Sequence, residues 1–187
     1  KNGLLVNSNY NNNNLVTGYV LKADIKHYFD TVDHEIILNI IIIKIKDKRV
    51  IGLIKLILSN CSSDKEKIGM PLGNLTSQFF ANVYLNDLDY FIKHDLKAKY
   101  YIRYVDDFVI LHQNKETLKV YKDKISKYLK KLKLKLHPDK SDIMPLRDGI
   151  TLLGYRIFYH HKLLRKSNLR KFKNLEVIKC FAINESE

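Results

Sequence analysis

Apolar residues recur along this chain in short runs whose period changes, and the changes mark its elements. Tyr19-Val20-Leu21-Lys22-Ala23-Asp24 is a brief apolar run closing on a carboxylate, the pattern of a buried strand. The residues before it offer little to bury. Asn11–Asn14 is a low-complexity tetrad, and residues 1–18 are expected to be a flexible lead-in ending near Gly18. Asp33 can cap a helix with Glu35 in its first turn, and Ile36, Ile37, Ile40, Ile41 and Ile43 follow. Lys48–Ser59 predicts a second helix with Val50, Leu53, Ile54 and Ile57 on one face, and Cys61–Lys67 a polar turn. Gly69–Asn74 is the densest cluster of structure breakers, and Leu75–Lys93 behind it predicts a long helix with Phe79, Val83, Asn86 and Tyr90 near one seam. Tyr100–Val105 and Phe108–Leu111 predict a hairpin with Asp106 and Asp107 at its turn.

Glu116–Leu132 reads as an amphipathic helix, with Leu118, Tyr121, Ile125, Tyr128, Leu129 and Leu132 at helical spacing. Lys131–Leu136 then alternates strictly until His137-Pro138 breaks the pattern. Thr151–Ile157 and Phe158–Leu164 predict two further strands, and the basic tail from Ser167 a helix as far as Phe181. The order is strand, helices, hairpin, helix, hairpin. That is an α+β fold with an antiparallel sheet packed on helices, and not the regular alternation of a doubly wound sheet.

Charge narrows the partners. Among 187 residues there are 27 Lys and 6 Arg against 20 acids, a net charge of +13. Such an excess favours an anionic partner: nucleic acid first, an acidic membrane surface second. Between Lys115 and Lys135 nine lysines face only Glu116 and Asp123. Cys61 and Cys180 fit no metal-ligand spacing and no disulfide framework, which points to a cytoplasmic setting. The longest apolar stretch, Ile36–Ile45, is too short to span a bilayer, and an acidic membrane surface has only the charge in its favour, so no membrane partner is expected. The chain begins at Lys1 without a signal peptide and is expected to be a fragment.

The acids carry the candidate chemistry. Asp24 ends one predicted strand, and Asp106 and Asp107 share the turn of another. Asp is common in turns, and an exposed pair costs little in water. Three carboxylates gathered by neighbouring antiparallel strands can instead hold hard cations, which take oxygen ligands. Two such ions stabilise the attacking and leaving oxygens of an in-line phosphoryl transfer.

Tyr104-Val105-Asp106-Asp107 resembles the YxDD box of reverse transcriptases, and four more boxes follow that family's order. Lys22–His34 resembles the first catalytic box, with Asp24 at the metal position. Gly69–Gln78 (GMPLGNLTSQ) resembles the turn-and-helix box under the templating pair, Leu136–Ser141 (LHPDKS) the box with a late lysine, and Leu152–Ile157 (LLGYRI) the primer-grip hairpin. The resemblance implies a polymerase palm over 19–165, with partial fingers at about 35–68 and the start of a thumb, or a basic tail, at 166–187. It implies an RNA-directed DNA polymerase using two Mg²⁺ ions, with Mn²⁺ as the substitute. Asp24, Asp106, Asp107 and the Ile25 carbonyl would be ligands, and Lys140 an acid or a charge for the departing pyrophosphate. Tyr28, Phe29, Leu72, Gly73 and Gln78 would line the nucleotide pocket with Ile25, Phe29 acting as a steric gate selecting dNTPs. Leu153, Gly154 and Tyr155 would hold the primer. Arg103 is read as a salt bridge or primer contact.

Where many members have Gln-Gly and end the box in Ser-Pro, this chain has Leu72-Gly73 and Ser77-Gln78. That form resembles the error-prone enzymes of diversity-generating retroelements. The implied partners are template RNA, a DNA or RNA primer, dNTPs and a basic accessory protein, and the implied origin is a prokaryote, phage or mobile element. Group II intron, retron and phage-defence enzymes are the alternatives, as is a palm that binds nucleic acid without copying it.

Overall fold

A computed structural model describes residues 16–60, 67–71 and 73–172. The predicted features at Cys61, Leu72, Cys180 and Phe181, the Asn tetrad and most of the lead-in lie outside them. The last residues of the lead-in, by contrast, are engaged: Val16 packs on the core, and the Gly18 carbonyl accepts the Leu146 amide at 2.9 Å.

Strand β1 (Tyr19–Asp24) lies inside a four-stranded antiparallel sheet of order β2-β3-β1-β4, where β2 is Tyr100–Tyr104, β3 is Asp107–His112 and β4 is Asp142–Pro145. Its apolar run is nearly continuous because both faces are covered. Leu21 and Ala23 join Phe108 and Ile110 in the main core beneath the helices. Val20 joins Val109 and Leu111 in a smaller cluster on the other face, closed by Leu146 and Ile150. β4 escaped the sequence pattern. It is a four-residue edge strand bounded by Asp142 and Pro145, residues that edges tolerate and central strands do not.

The helices follow their caps. After a single turn, α1 (Tyr28–Thr31), helix α2 (His34–Lys44) starts where Asp33 accepts the Glu35 and Ile36 amides at 2.9 and 3.1 Å. α3 (Lys48–Ser59) starts at Asp47, which accepts from Arg49 and Val50. Its predicted face is only partly used: Ile54 is buried and Ile57 half-buried, whereas Val50 and Leu53 are exposed, and Leu58, outside that face, is buried.

The long helix predicted over Leu75–Lys93 is three pieces: α4 (Leu75–Tyr84), α5 (Asn86–Tyr90) and a wide turn at Phe91–Asp95. Its seam also differs. Ser77, Phe80, Ala81, Tyr84, Leu88 and Ile92 are buried, while Phe79 and Tyr90 are more than 60% exposed. Leu85, at φ −90° and ψ 0°, interrupts the helix, yet the buried face runs on at helical spacing from Ser77 and Ala81 through Tyr84 to Leu88 and Ile92.

Helix α6 (Lys115–Lys131) packs against β1, β3 and β4 through Leu118, Ile125 and Leu129. Its end explains the alternation after Lys131. Lys133 turns left-handed at φ 54°, the Leu134 amide reaches back to the Leu129 carbonyl and the Lys133 amide to that of Lys130, a Schellman closure without glycine.

The remaining strands form a second sheet, β5 (Ile150–Leu152), β6 (Tyr155–Ile157) and β7 (Lys162–Leu164), so the strand predicted over Thr151–Ile157 is itself a hairpin. Residues 166–172 are helical. Among the described residues no helix is long and apolar enough to cross a membrane.

Candidate active site

The pairing of β1 with β3 sets the site. Asp24, the last residue of β1, lies opposite Asp107, the first of β3, and Ile25 extends the pairing by donating its amide to the Asp106 carbonyl at 3.2 Å. Tyr104 pairs with Asp107, so the hairpin turn is Val105-Asp106. Only one of the two predicted turn acids sits in the turn, and Asp107 belongs to the strand. Val105 stands at φ 55°, a region costly for a β-branched residue by about 1–3 kcal/mol.

The other wall comes from the segment before β4. The His137 amide donates to the Asp24 carbonyl at 2.8 Å. The Asp24 amide donates to Ser141 Oγ at 3.3 Å, and that hydroxyl donates to the Asp24 carbonyl at 3.4 Å. Lys140 Nζ stands 3.3 Å from Asp24 Oδ2. Lys122 of α6 holds the Ser141 carbonyl. Ser141 is buried and fixes the Asp24 backbone from both sides, a role that nothing in its local sequence signals.

Burial pushes the Asp106 carboxyl above the ordinary aspartate range. The negative charges of Asp24 and Asp107 push the same way, against its own backbone N–H and Lys140. Asp106 thus feels the charge of both neighbouring acids. Among the described residues, however, no three acid, histidine or cysteine side chains already converge as a metal-holding cluster. The donor set itself is all carboxylate oxygen, which suits a hard divalent cation. Asp24, Asp106 and Asp107 are the residues that would hold it.

The predicted nucleotide residues lie on adjoining segments. Tyr28 follows His27 at φ 47°, is buried, and donates its hydroxyl to the Ala81 carbonyl at 2.7 Å. Burial raises its pKa further from neutrality, so it stays protonated. Phe29 is half-buried with its ring 5.6 Å from that of Tyr28, and its carbonyl accepts the Met70 amide at 2.8 Å. That bond ties α1 to the glycine loop. Gly73 has φ 87° with open space around the position of a side chain, so its backbone conformation, and not crowding, calls for glycine. Gln78 is exposed on α4.

Leu153 and Gly154, at φ 49° and 81°, form the two-residue turn between β5 and β6, with Leu153 exposed at the tip. Lys162 lies over the Tyr155 ring at 5.8 Å. This hairpin belongs to the second sheet, apart from the sheet that carries the acids. The structure thus brings Asp24, Asp106, Asp107 and Lys140 together, sets Tyr28, Phe29, Gly73 and Gln78 on neighbouring segments, and places Leu153–Tyr155 on a separate sheet.

The family profile described as reverse transcriptase (RNA-dependent DNA polymerase) matches residues 3–157. The chain belongs to the reverse transcriptase family. Protein YkfC of Escherichia coli (strain K12) is 25% identical over 181 residues, covering 74% of this chain and 46% of that protein. The group II intron-encoded protein LtrA of Lactococcus lactis subsp. cremoris is 36% identical over 87 residues, 44% of this chain and 14% of the relative. Among solved structures, apo telomerase from Candida tropicalis, truncated from the C-terminal domain, superposes with TM-score 0.65 at 21% identity, over 87% of this chain and 38% of that one. The chain therefore shares its α+β fold with that telomerase, and it spans less than half the length of these proteins.

Proposed function

We propose that this chain carries the catalytic core of an RNA-directed DNA polymerase that extends a primer on template RNA by nucleotidyl transfer from dNTPs. The observation that carries the proposal is the placement of Asp24 opposite Asp107 with Asp106 in the adjoining turn, in a chain of this family. When bound, two Mg²⁺ ions (or Mn²⁺) would supply charge for the attacking and leaving oxygens. The protein's own part is positional. Ser141 and His137 fix the Asp24 backbone, and the Ile25 carbonyl beside it is a further oxygen ligand. Lys140 brings a positive charge to the acids, suited to a departing pyrophosphate. Phe29, backed by Tyr28, excludes a ribose 2′-hydroxyl. Leu72, Gly73 and Gln78 form the floor under the nascent pair, and Leu153, Gly154 and Tyr155 hold the primer end.

Replacing Asp106 and Asp107 together by Asn tests the assignment. Primer extension should vanish while RNA binding persists, and unchanged extension would refute the acid site.

The subtype has two supports that differ. The Leu72-Gly73 and Ser77-Gln78 box supports an error-prone enzyme of the diversity-generating kind, in which an apolar Leu72 removes a polar anchor near the new pair and relaxes discrimination. Such an enzyme would work with a basic accessory protein. The 36% identity to LtrA supports a group II intron-type enzyme. Sequencing cDNA made on a defined RNA template separates them: errors concentrated at template adenines favour the first, and uniformly few errors the second.

A further inference from the structure

The turn that carries Asp106 is not held by its own sequence. Val105 is β-branched and left-handed at φ 55°, where glycine or asparagine is the usual occupant of a tight hairpin. Its carbonyl accepts a hydrogen bond from Arg103 Nη1 at 2.9 Å. The same nitrogen donates to Asn82 Oδ1 on α4 at 3.0 Å. The rest of the guanidinium is spent on Asp89 of α5, with Nε to Oδ1 at 2.7 Å and Nη2 to Oδ2 at 2.5 Å. Tyr101, two residues earlier on the same face of β2, donates its hydroxyl to Asp89 Oδ1 at 2.6 Å and locks that carboxylate. Asn82 in turn donates to the Gln78 carbonyl one helical turn back, at 3.1 Å.

We propose that Arg103 is a positioning residue that clamps the Asp106 turn to the two helices behind it, through Val105 on one side and Asn82 and Asp89 on the other. A salt bridge alone would need only Asp89. Two features go beyond charge pairing: the fork is bidentate, so the guanidinium plane is fixed, and its remaining arm reaches the one backbone carbonyl next to Asp106. The Arg103 side chain is 91% buried, so its donors have no easy substitute in water. The turn it holds also receives the Ile25 amide, next to Asp24. The clamp therefore sets the spacing between Asp106 and Asp24, and through Asn82 it connects that spacing to the helix bearing Gln78. Its consequence for chemistry rests on the polymerase assignment, whereas its consequence for the turn does not.

Arg103→Lys keeps the charge but cannot make directed bonds to Asp89, Asn82 and Val105 at once. Amide hydrogen exchange on the full chain reads the turn directly. Exchange at Ile25 and at residues 104–107 should rise roughly tenfold while the buried amides of α6 hold theirs. Primer extension should lose about 10- to 100-fold in kcat with little change in the dNTP KM. Adding Val105→Gly, which relieves the left-handed strain, should return both readouts toward wild type, which a general loss of stability would not predict. If Arg103→Lys does not fold, Asn82→Ala removes one acceptor at an exposed helix position and should raise Ile25 exchange in the same direction. Unchanged exchange at Ile25 and 104–107 would overturn the clamp. Faster exchange with unchanged kcat would overturn its link to catalysis. If the wild-type chain neither extends a primer nor binds Mn²⁺ in a manner lost in Asp106→Asn, the polymerase assignment falls, and the exchange comparison still decides the clamp.

Discussion

Asp106 shows how a single position can be tuned against its own stability. Burial and two neighbouring acids hold its carboxyl above the ordinary value of 3.8, so the folded chain binds this proton more tightly than the unfolded one does. As pH rises from 3.8 through the raised folded value, the unfolded chain gives up its proton first. Asp106 therefore costs the fold stability once it is ionised, and costs nothing below 3.8. Asp106→Asn should raise the melting temperature at neutral pH while abolishing extension, and the gain should disappear as the pH falls below the ordinary aspartate range. Thermal melts of the two proteins across pH decide this, and an equal gain at every pH would remove the electrostatic explanation. The acids were legible in the sequence because each closes or opens an apolar run. Ser141, Asp89 and Asn82 were not, because their meaning lies in partners far along the chain: Ser141 acts on Asp24 across 117 positions, and Asp89 acts on Arg103 across 14.

At the scale of elements, local signals with a physical cause were readable and long-range ones were not. The Asp33 cap fixes the start of α2 because its carboxylate accepts two amides that the helix cannot satisfy itself. The seam of Leu75–Lys93 misled because Phe79 and Tyr90 are apolar by type yet exposed, while the face that is buried, through Phe80, Tyr84 and Leu88, lies beside them, and the break at Leu85 has no signature in composition. Strand β4 depends on pairing with β1, and its Asp142 and Pro145 read locally as loop. Asp33 has a second duty, since Lys133 at the close of α6 binds its other oxygen at 2.5 Å. One carboxylate thus joins the start of α2 to the end of α6. Burial opposes ionisation of Asp33, but the Lys133 bond and the Ile36 and Glu35 amides outweigh it and hold the carboxyl below its ordinary 3.8. The stability it contributes is complete above 3.8 and is lost as pH falls through the lowered folded value. Asp33→Ala should cost about 1–2 kcal/mol in denaturant unfolding near neutral pH, and the cost should shrink in acid. A change within error at neutral pH would mean that water replaces the cap without loss.

Over the whole molecule, charge and site divide the labour of holding a nucleic acid. The net charge of +13 is spread over lysines that the fold leaves in solvent, and α6 presents Lys115, Lys119, Lys124, Lys127, Lys130 and Lys131 on its outer side. Its inner side is spent on the sheet that carries the acids. A solvated lysine face and a phosphate-binding one look the same in a structure, but they differ in salt. Each phosphate neutralised on a single strand releases condensed counterions and adds about 0.7 to the slope of log affinity against log salt. Several contacts would make single-stranded RNA binding fall by more than about tenfold between roughly 50 and 200 mM salt. Replacing Lys124, Lys127, Lys130 and Lys131 by Gln should then flatten the slope by about 0.7 for each lysine that touches phosphate, with little effect on folding because all four are exposed. Filter binding of labelled RNA over a salt series measures both. A slope unchanged by the four substitutions would leave α6 as a solvated face and move the phosphate contacts to other basic residues, whereas a slope that collapses would make the back of the acid-bearing sheet part of the RNA-binding surface.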